Sequence, residues 1–222
     1  MQQLKWSRML SSLRLDILTH CATIEETSNL KGLLFYVQPM NIFVCDRDPI
    51  KAARMLPDRH VTKMILESAQ MLSIVYSKHY WDIGEVAKVN GDPFKTEKGA
   101  FKNPPCTQWA ADSEYNCAWL IQHAMGLLEE FQNRYGKLHG LNKSLFNAKR
   151  LFQKNCRAVT CHSMVESFAR AMPEPLKHDT SVDDVTAYRI YVNSKPWVYY
   201  NYLKLPDRRP TWVTNPDEQT NS

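Results

Sequence analysis

Between Asp58 and about Tyr80 the chain runs without a glycine or a proline, and Val61, Met64, Ile65, Leu72 and Val75 recur at the spacing of one broad helical face. A segment so long and so apolar on one side predicts a helix with a face to bury. The chain holds only 7 glycines in 222 residues, which argues against a barrel or sandwich built on many tight turns. The expected fold is mainly α: a single helical domain with one short N-terminal strand near residues 41–45.

The punctuation around that helix sets the other elements. Ile42 to Cys45 is β-branched and aromatic, and short enough for a strand. Asp48 suits an N-cap and Pro49 a first helical position, so a short helix is expected to about Leu56. Residues 82–104 hold Gly91, Pro93, Gly99 and several lysines, and read as a long loop. A helix is expected from near Pro105, with Ser113 capping or continuing it, to Tyr135 before Gly136. Another fits Asn142 to Lys154. Ser181 to Asp184 has capping-box spacing and opens a helix to about Asn193, and a last short one fits Trp197 to Leu203. Residues 1–39 read as an extension, with Met40 the natural start of the domain at 40–213 and 214–222 a disordered tail.

Hydrophobic residues make up 44% and charged residues 23%, so one domain with a sizeable core is expected. A net charge of +5 permits nucleic-acid binding without demanding it. Neither a secretory signal nor a long apolar run is present, so a soluble, cytoplasmic chain with reduced cysteines and no membrane partner is expected. Cys156, Cys161 and His162 lie close together but lack a second ligand pair, so no metal and no other cofactor is expected. Phosphate-loop, dinucleotide and nucleophile-elbow motifs are all missing.

The chemistry-bearing residues cluster by spacing. His60, Lys63, Glu67 and Gln70 follow one another by three, four and three. At about 100° per residue they fall on a stripe roughly 80° wide. A histidine, a lysine and a carboxylate on successive turns can exchange protons and hold a charged substrate, although a solvated Lys63–Glu67 pair fits the same spacing. Asp46 follows the expected strand, where carboxylates often serve a site. Ser113, Asn116 and His123 share one side of a later helix. Trp109 and Trp119 suit the core or, less simply, a base stack. Arg134, Tyr135 and His139 surround a helix C-terminus, where cations complement the helix dipole. An anion clamp completed by Arg189 is the functional alternative.

Met40-Asn41-Ile42-Phe43-Val44, Asp46-Arg47-Asp48-Pro49 and Asp58-Arg59-His60-Val61-Thr62-Lys63-Met64 with Leu66-Glu67-Ser68-Ala69-Gln70 resemble the opening of a family of phage proteins. Further along, Asn103-Pro104, Trp109, Ser113, Asn116 and Trp119 also resemble that pattern. So do Arg134-Tyr135-Gly136-Lys137 with His139, Ala171-Met172-Pro173 and Ala187-Tyr188-Arg189. The pattern is similar to the amino acid:DNA transferases of thymine-hypermodification systems. This chain departs from it at Arg59, where the pattern has lysine, at Pro105 and after Pro173, and residues 1–39 have no counterpart.

The resemblance implies an enzyme in an infected bacterial cytoplasm. An amine, from an amino acid or another small donor, displaces pyrophosphate from an activated 5-hydroxymethylpyrimidine in DNA. His60 or Glu67 would free the amine, Arg59 and Lys63 would meet the leaving group, and Arg134 would clamp the amino acid's carboxylate. Asp46 would stand at the edge of the catalytic group. Gln70, Trp109, Ser113, Asn116, Tyr135, His139 and Arg189 would contact substrate. Two other classes fit the residues: a metal-dependent nuclease or DNA glycosylase using Asp46, Asp48, His60 and Glu67, and a non-enzymatic phage protein binding a host partner.

Overall fold

The computed structural model describes residues 40–157 and 164–217. Six α-helices stand among them: α1 (Pro49–Arg54), α2 (Asp58–Tyr76), α3 (Pro105–Asp112), α4 (Glu114–Tyr135), α5 (Asn142–Asn155) and α6 (Asp184–Asn193). The fold is mainly α. A 3₁₀ turn, Pro206–Arg208, follows.

Helix α4 is the spine. It carries α1 and α2 on its sides and also meets α3 and α5. Gly126 permits the close approach of α1, because a Cβ there would stand 3.3 Å from the Ile50 Cα and 3.1 Å from the Ala53 Cβ. Trp119, Leu120 and Leu127 of α4 pack with Met64, Ile65 and Leu72 of α2 in one core. No helix among the described residues is long and apolar enough to cross a membrane.

The caps explain the boundaries. Asp48 accepts hydrogen bonds from Ile50 and Lys51, with Pro49 next in the helix. Ser113 separates α3 from α4 and accepts from the Asn116 amide, while Gly136 ends α4 at φ +65°. Helix α2 has Pro57 before it and no cap from its own neighbourhood. Asn201 supplies one instead: its carbonyl accepts from the Asp58 amide at 2.8 Å and its Oδ1 from the Arg59 amide at 2.9 Å.

Three expected elements differ. Residues 41–45 form no strand. Asn41 Oδ1 accepts from the Ile42 and Phe43 amides, and Phe43 sits at φ +43°, so the segment turns where a strand would run straight. Asp183, not Ser181, caps α6. Trp197 to Leu203 forms turns, with Val198 N donating to Lys195 O and Asn201 N to Val198 O. Beyond Val213, Thr214 exchanges two hydrogen bonds with Asn193. Cys161 and His162 lie outside the described residues, as does the expected extension at 1–39.

Candidate functional site

The turn at Asn41 and the first half of α2 meet at Glu67. This carboxylate is buried, at 7% exposure, and both oxygens are engaged. Oε1 pairs with Lys63 Nζ at 3.0 Å, one helical turn away, and Oε2 accepts from the Asn41 amide at 2.9 Å. Asn41 is itself fixed, its Nδ2 donating to Ala171 O at 2.6 Å. A buried anion is thus held in one orientation by an amide and a lysine.

One turn earlier, His60 is 6% exposed. Phe43 stacks on it with ring centroids 4.1 Å apart and planes 17° from parallel, and Trp197 meets it edge-on at 5.3 Å. The left-handed backbone at Phe43 delivers that ring. Such a conformation costs about 1–3 kcal/mol for a bulky residue and persists only where surroundings impose it. Burial, with the charges of Lys195, Lys63 and Arg59, pushes the His60 pKa down to about 3, so the ring is neutral near pH 7. Its buried Nδ1 has no hydrogen-bond partner.

Lys195, just after α6, completes the group. Its Nζ lies 4.0 Å from the Tyr191 ring centroid and 5.9 Å from that of Phe43. Burial and then Lys63 pull its pKa down to about 8. Arg59 lies over Trp197 at 4.8 Å. Asn41, Phe43, Tyr191, Lys195 and Trp197 carried no signal by spacing. They come from segments distant in sequence, and only the turns at Asn41 and Lys195 bring them to α2.

The other expected site residues are engaged with partners of their own. Arg134 and Asn116 are 18 positions apart on α4, about 27 Å along its axis. The Arg134 side chain is fully buried and satisfied, by Asp58 Oδ1 at 3.0 Å, Glu130 Oε1 at 2.9 Å and Arg54 O at 3.1 Å. Asn116 Nδ2 donates to Trp109 O, and the Ser113 hydroxyl caps α4. Trp109 is buried, donates to Ser167 O and meets Trp119 edge-on. His123 stacks on Trp119 in the core, with neither nitrogen partnered.

Tyr135 OH lies 3.4 Å from Asp58 O. His139 packs edge-on against Phe131 and accepts from the Leu141 amide at Nδ1, and its burial lowers its pKa. Gln70 is half-buried at the far end of the stripe. Asp46 accepts from the Asp48 amide and faces Arg189 at 3.7 Å, while Arg189 also donates to Cys45 O. Asp48 is spent on capping α1. Asp46, Asp48, His60 and Glu67 do not converge: among the described residues no three His, Cys, Asp or Glu side chains are placed to hold a metal ion.

Residues 40–142 match the model of the family described as pyrimidine dimer DNA glycosylase. The match is to a DNA-acting family. It spans Asn41, Phe43, Arg59, His60, Lys63 and Glu67, and ends before Tyr191, Lys195 and Trp197. No curated protein and no solved structure matches the chain.

Proposed function

We propose that this chain acts on pyrimidines in DNA by cleaving the bond between base and deoxyribose, with Glu67 as the reacting carboxylate. The observation that carries this reading is the buried, doubly held Glu67 within the stretch that resembles a pyrimidine dimer DNA glycosylase. As the glycosidic bond lengthens, positive charge grows on the sugar and negative charge on the base. A fixed carboxylate beside the sugar stabilises the first, and a nearby cation such as Lys63 the second. Water then adds to the sugar carbon, the base leaves with the bonding electrons, and the proton lost by water balances the base anion. Displacing a base from the duplex costs a few kcal/mol. Stacking on an aromatic ring returns about 1–3 kcal/mol, and Trp197 and Tyr191 are only partly buried.

A second reading keeps the same target and changes the bond. Arg59 and Lys195 lack carboxylate partners among the described residues, which suits a reaction that expels an anion from a modified pyrimidine. There an amino acid or other amine attacks a 5-hydroxymethylpyrimidine carrying pyrophosphate, the new C–N bond replaces the C–O bond, and pyrophosphate departs. The amine attacks in its neutral form and the proton it sheds passes to solvent, because burial keeps His60, with a pKa of about 3, too weak a base to hold it.

Product analysis separates the two. Duplex DNA carrying pyrimidine dimers, and DNA carrying the activated hydroxymethylpyrimidine with an amino acid mixture, are each incubated with the protein. Digestion and mass analysis of nucleosides follow. Abasic sites with freed base linkage support the first reading. A nucleoside heavier by an amino acid, with no abasic sites, would replace it with the second.

A further inference from the structure

Three cations converge on His60, and only one of them is neutralised. Lys63 has Glu67 at 3.0 Å. Among the described residues, Arg59 and Lys195 have no acidic group within ion-pair distance. Arg59 and Lys63 flank His60 on α2, and the Lys195 Nζ stands 5.9 Å from the Phe43 ring that stacks on His60; after burial, the larger cause, the three charges lower the His60 pKa.

Long cationic side chains with nothing to hold them separate in solvent, because like charges repel and rotamer freedom is favourable. Here they are held. Arg59 is laid on Trp197 and Lys195 on Tyr191. Those two rings are tied to the same centre, Trp197 through His60 and Tyr191 through Phe43 at 6.0 Å. The aromatic cluster keeps positive charge assembled and leaves a buried imidazole nitrogen without a partner. Counting Arg59, Lys63 and Lys195 against Glu67, the group carries a formal surplus of two positive charges.

We propose that Arg59, Lys63 and Lys195 form a seat for a phosphate group beside His60. A carboxylate presents two oxygens in one plane and is matched by one arginine. A phosphate presents oxygens in several directions, which suits a planar guanidinium and two ammonium groups arriving from the start of α2 and the end of α6. Exposed Arg59 and Lys63 form the open side, and the half-buried Lys195 the inner side. Resting on the DNA reading above, the occupant is a backbone phosphodiester next to the target base, while a free phosphate monoester offers the same chemistry.

The test uses the full chain and two probes: inorganic phosphate, and a short thymidine oligonucleotide. Each is titrated by calorimetry at several salt concentrations against wild type, Arg59→Gln, Lys195→Gln and the remote control Lys98→Gln. Thermal melts first establish that each variant is folded. The seat predicts that Arg59→Gln and Lys195→Gln each weaken oligonucleotide binding about 5–20-fold and lower the salt slope by about one, while Lys98→Gln does neither. Phosphate binding that depends on Arg59 and Lys195, without oligonucleotide binding, keeps the seat and sinks the DNA reading. Binding of either probe that is indifferent to both substitutions overturns the seat, and so does failure of both probes to bind.

Discussion

Replacing Arg134 with methionine separates a structural role from a substrate clamp. The guanidinium joins three parts of the fold: Asp58 at the start of α2, Glu130 one turn back on α4, and the Arg54 carbonyl at the end of α1. Methionine fills much of the same space and donates nothing. Glu130, fully buried, would keep only Arg208, whose Nε lies 3.2 Å away on a side chain 37% exposed. Asp58 Oδ2 would keep the Leu203 and Lys204 amides, but Oδ1 would lose its partner. Stranding one side of a buried pair costs about 3–5 kcal/mol. For a chain of this size that lowers Tm by roughly 6–20 °C. Chemical denaturation of Arg134→Met measures the loss, and adding Glu130→Gln should recover part of it, because the stranded charge is then removed. DNA binding by the folded variant should stay close to wild type. Stability within about 1 kcal/mol of wild type, together with lost substrate binding, would refute the reasoning and return Arg134 to a clamp.

Three further outcomes follow from the same structure. His60 and His123 have folded-state pKa values of about 3, against an ordinary 6.5. The unfolded chain therefore binds more protons between those values, so their stabilising contribution is complete above about pH 6.5 and is lost as pH falls towards 3. His123→Leu should flatten the fall in stability by up to about 1.4 kcal/mol per pH unit in that window, read by urea unfolding at pH 4 to 7, and an unchanged slope would contradict this. Deleting residues 1–39 should leave cooperative thermal unfolding, since Met40, Ile42 and Val44 share one core with described residues as far along the chain as Val213, and a non-cooperative melt would count against it. Binding to DNA should be micromolar or weaker and should fall as salt rises, because a net charge of +5 supports few phosphate contacts; salt-independent binding would exclude backbone contacts as its source.

The helices were legible because their signals are local. Asp48-Pro49, Ser113 and Gly136 punctuate the chain through side-chain and backbone chemistry that needs no partner far away. The expected strand failed for a reason equally local: the Asn41 side chain captures two amides and Phe43 turns left-handed, which β-branched composition does not reveal. At the site, the His60–Lys63–Glu67 stripe was visible because it lies on one helix. Asn41 and Lys195 were not, because turns distant in sequence bring them in. Arg134 shows the opposite error. A cation at a helix C-terminus fits both a clamp and a buried tie, and only the carboxylates of Asp58 and Glu130 decide between them. Asn116, a costly residue inside a helix, had its compensating partner in the Trp109 carbonyl.

Base release from a pyrimidine-dimer duplex by wild type and Glu67→Gln is the most direct measurement. The substitution keeps the size of the side chain and an oxygen to accept the Asn41 amide, but removes the charge that would face the reacting sugar. The account predicts abasic sites with wild type, a rate lower by a factor on the order of 10² or more with Glu67→Gln, and a Tm that changes by only a few degrees. Equal rates from the two proteins, or a heavier nucleoside in place of abasic sites, would contradict it.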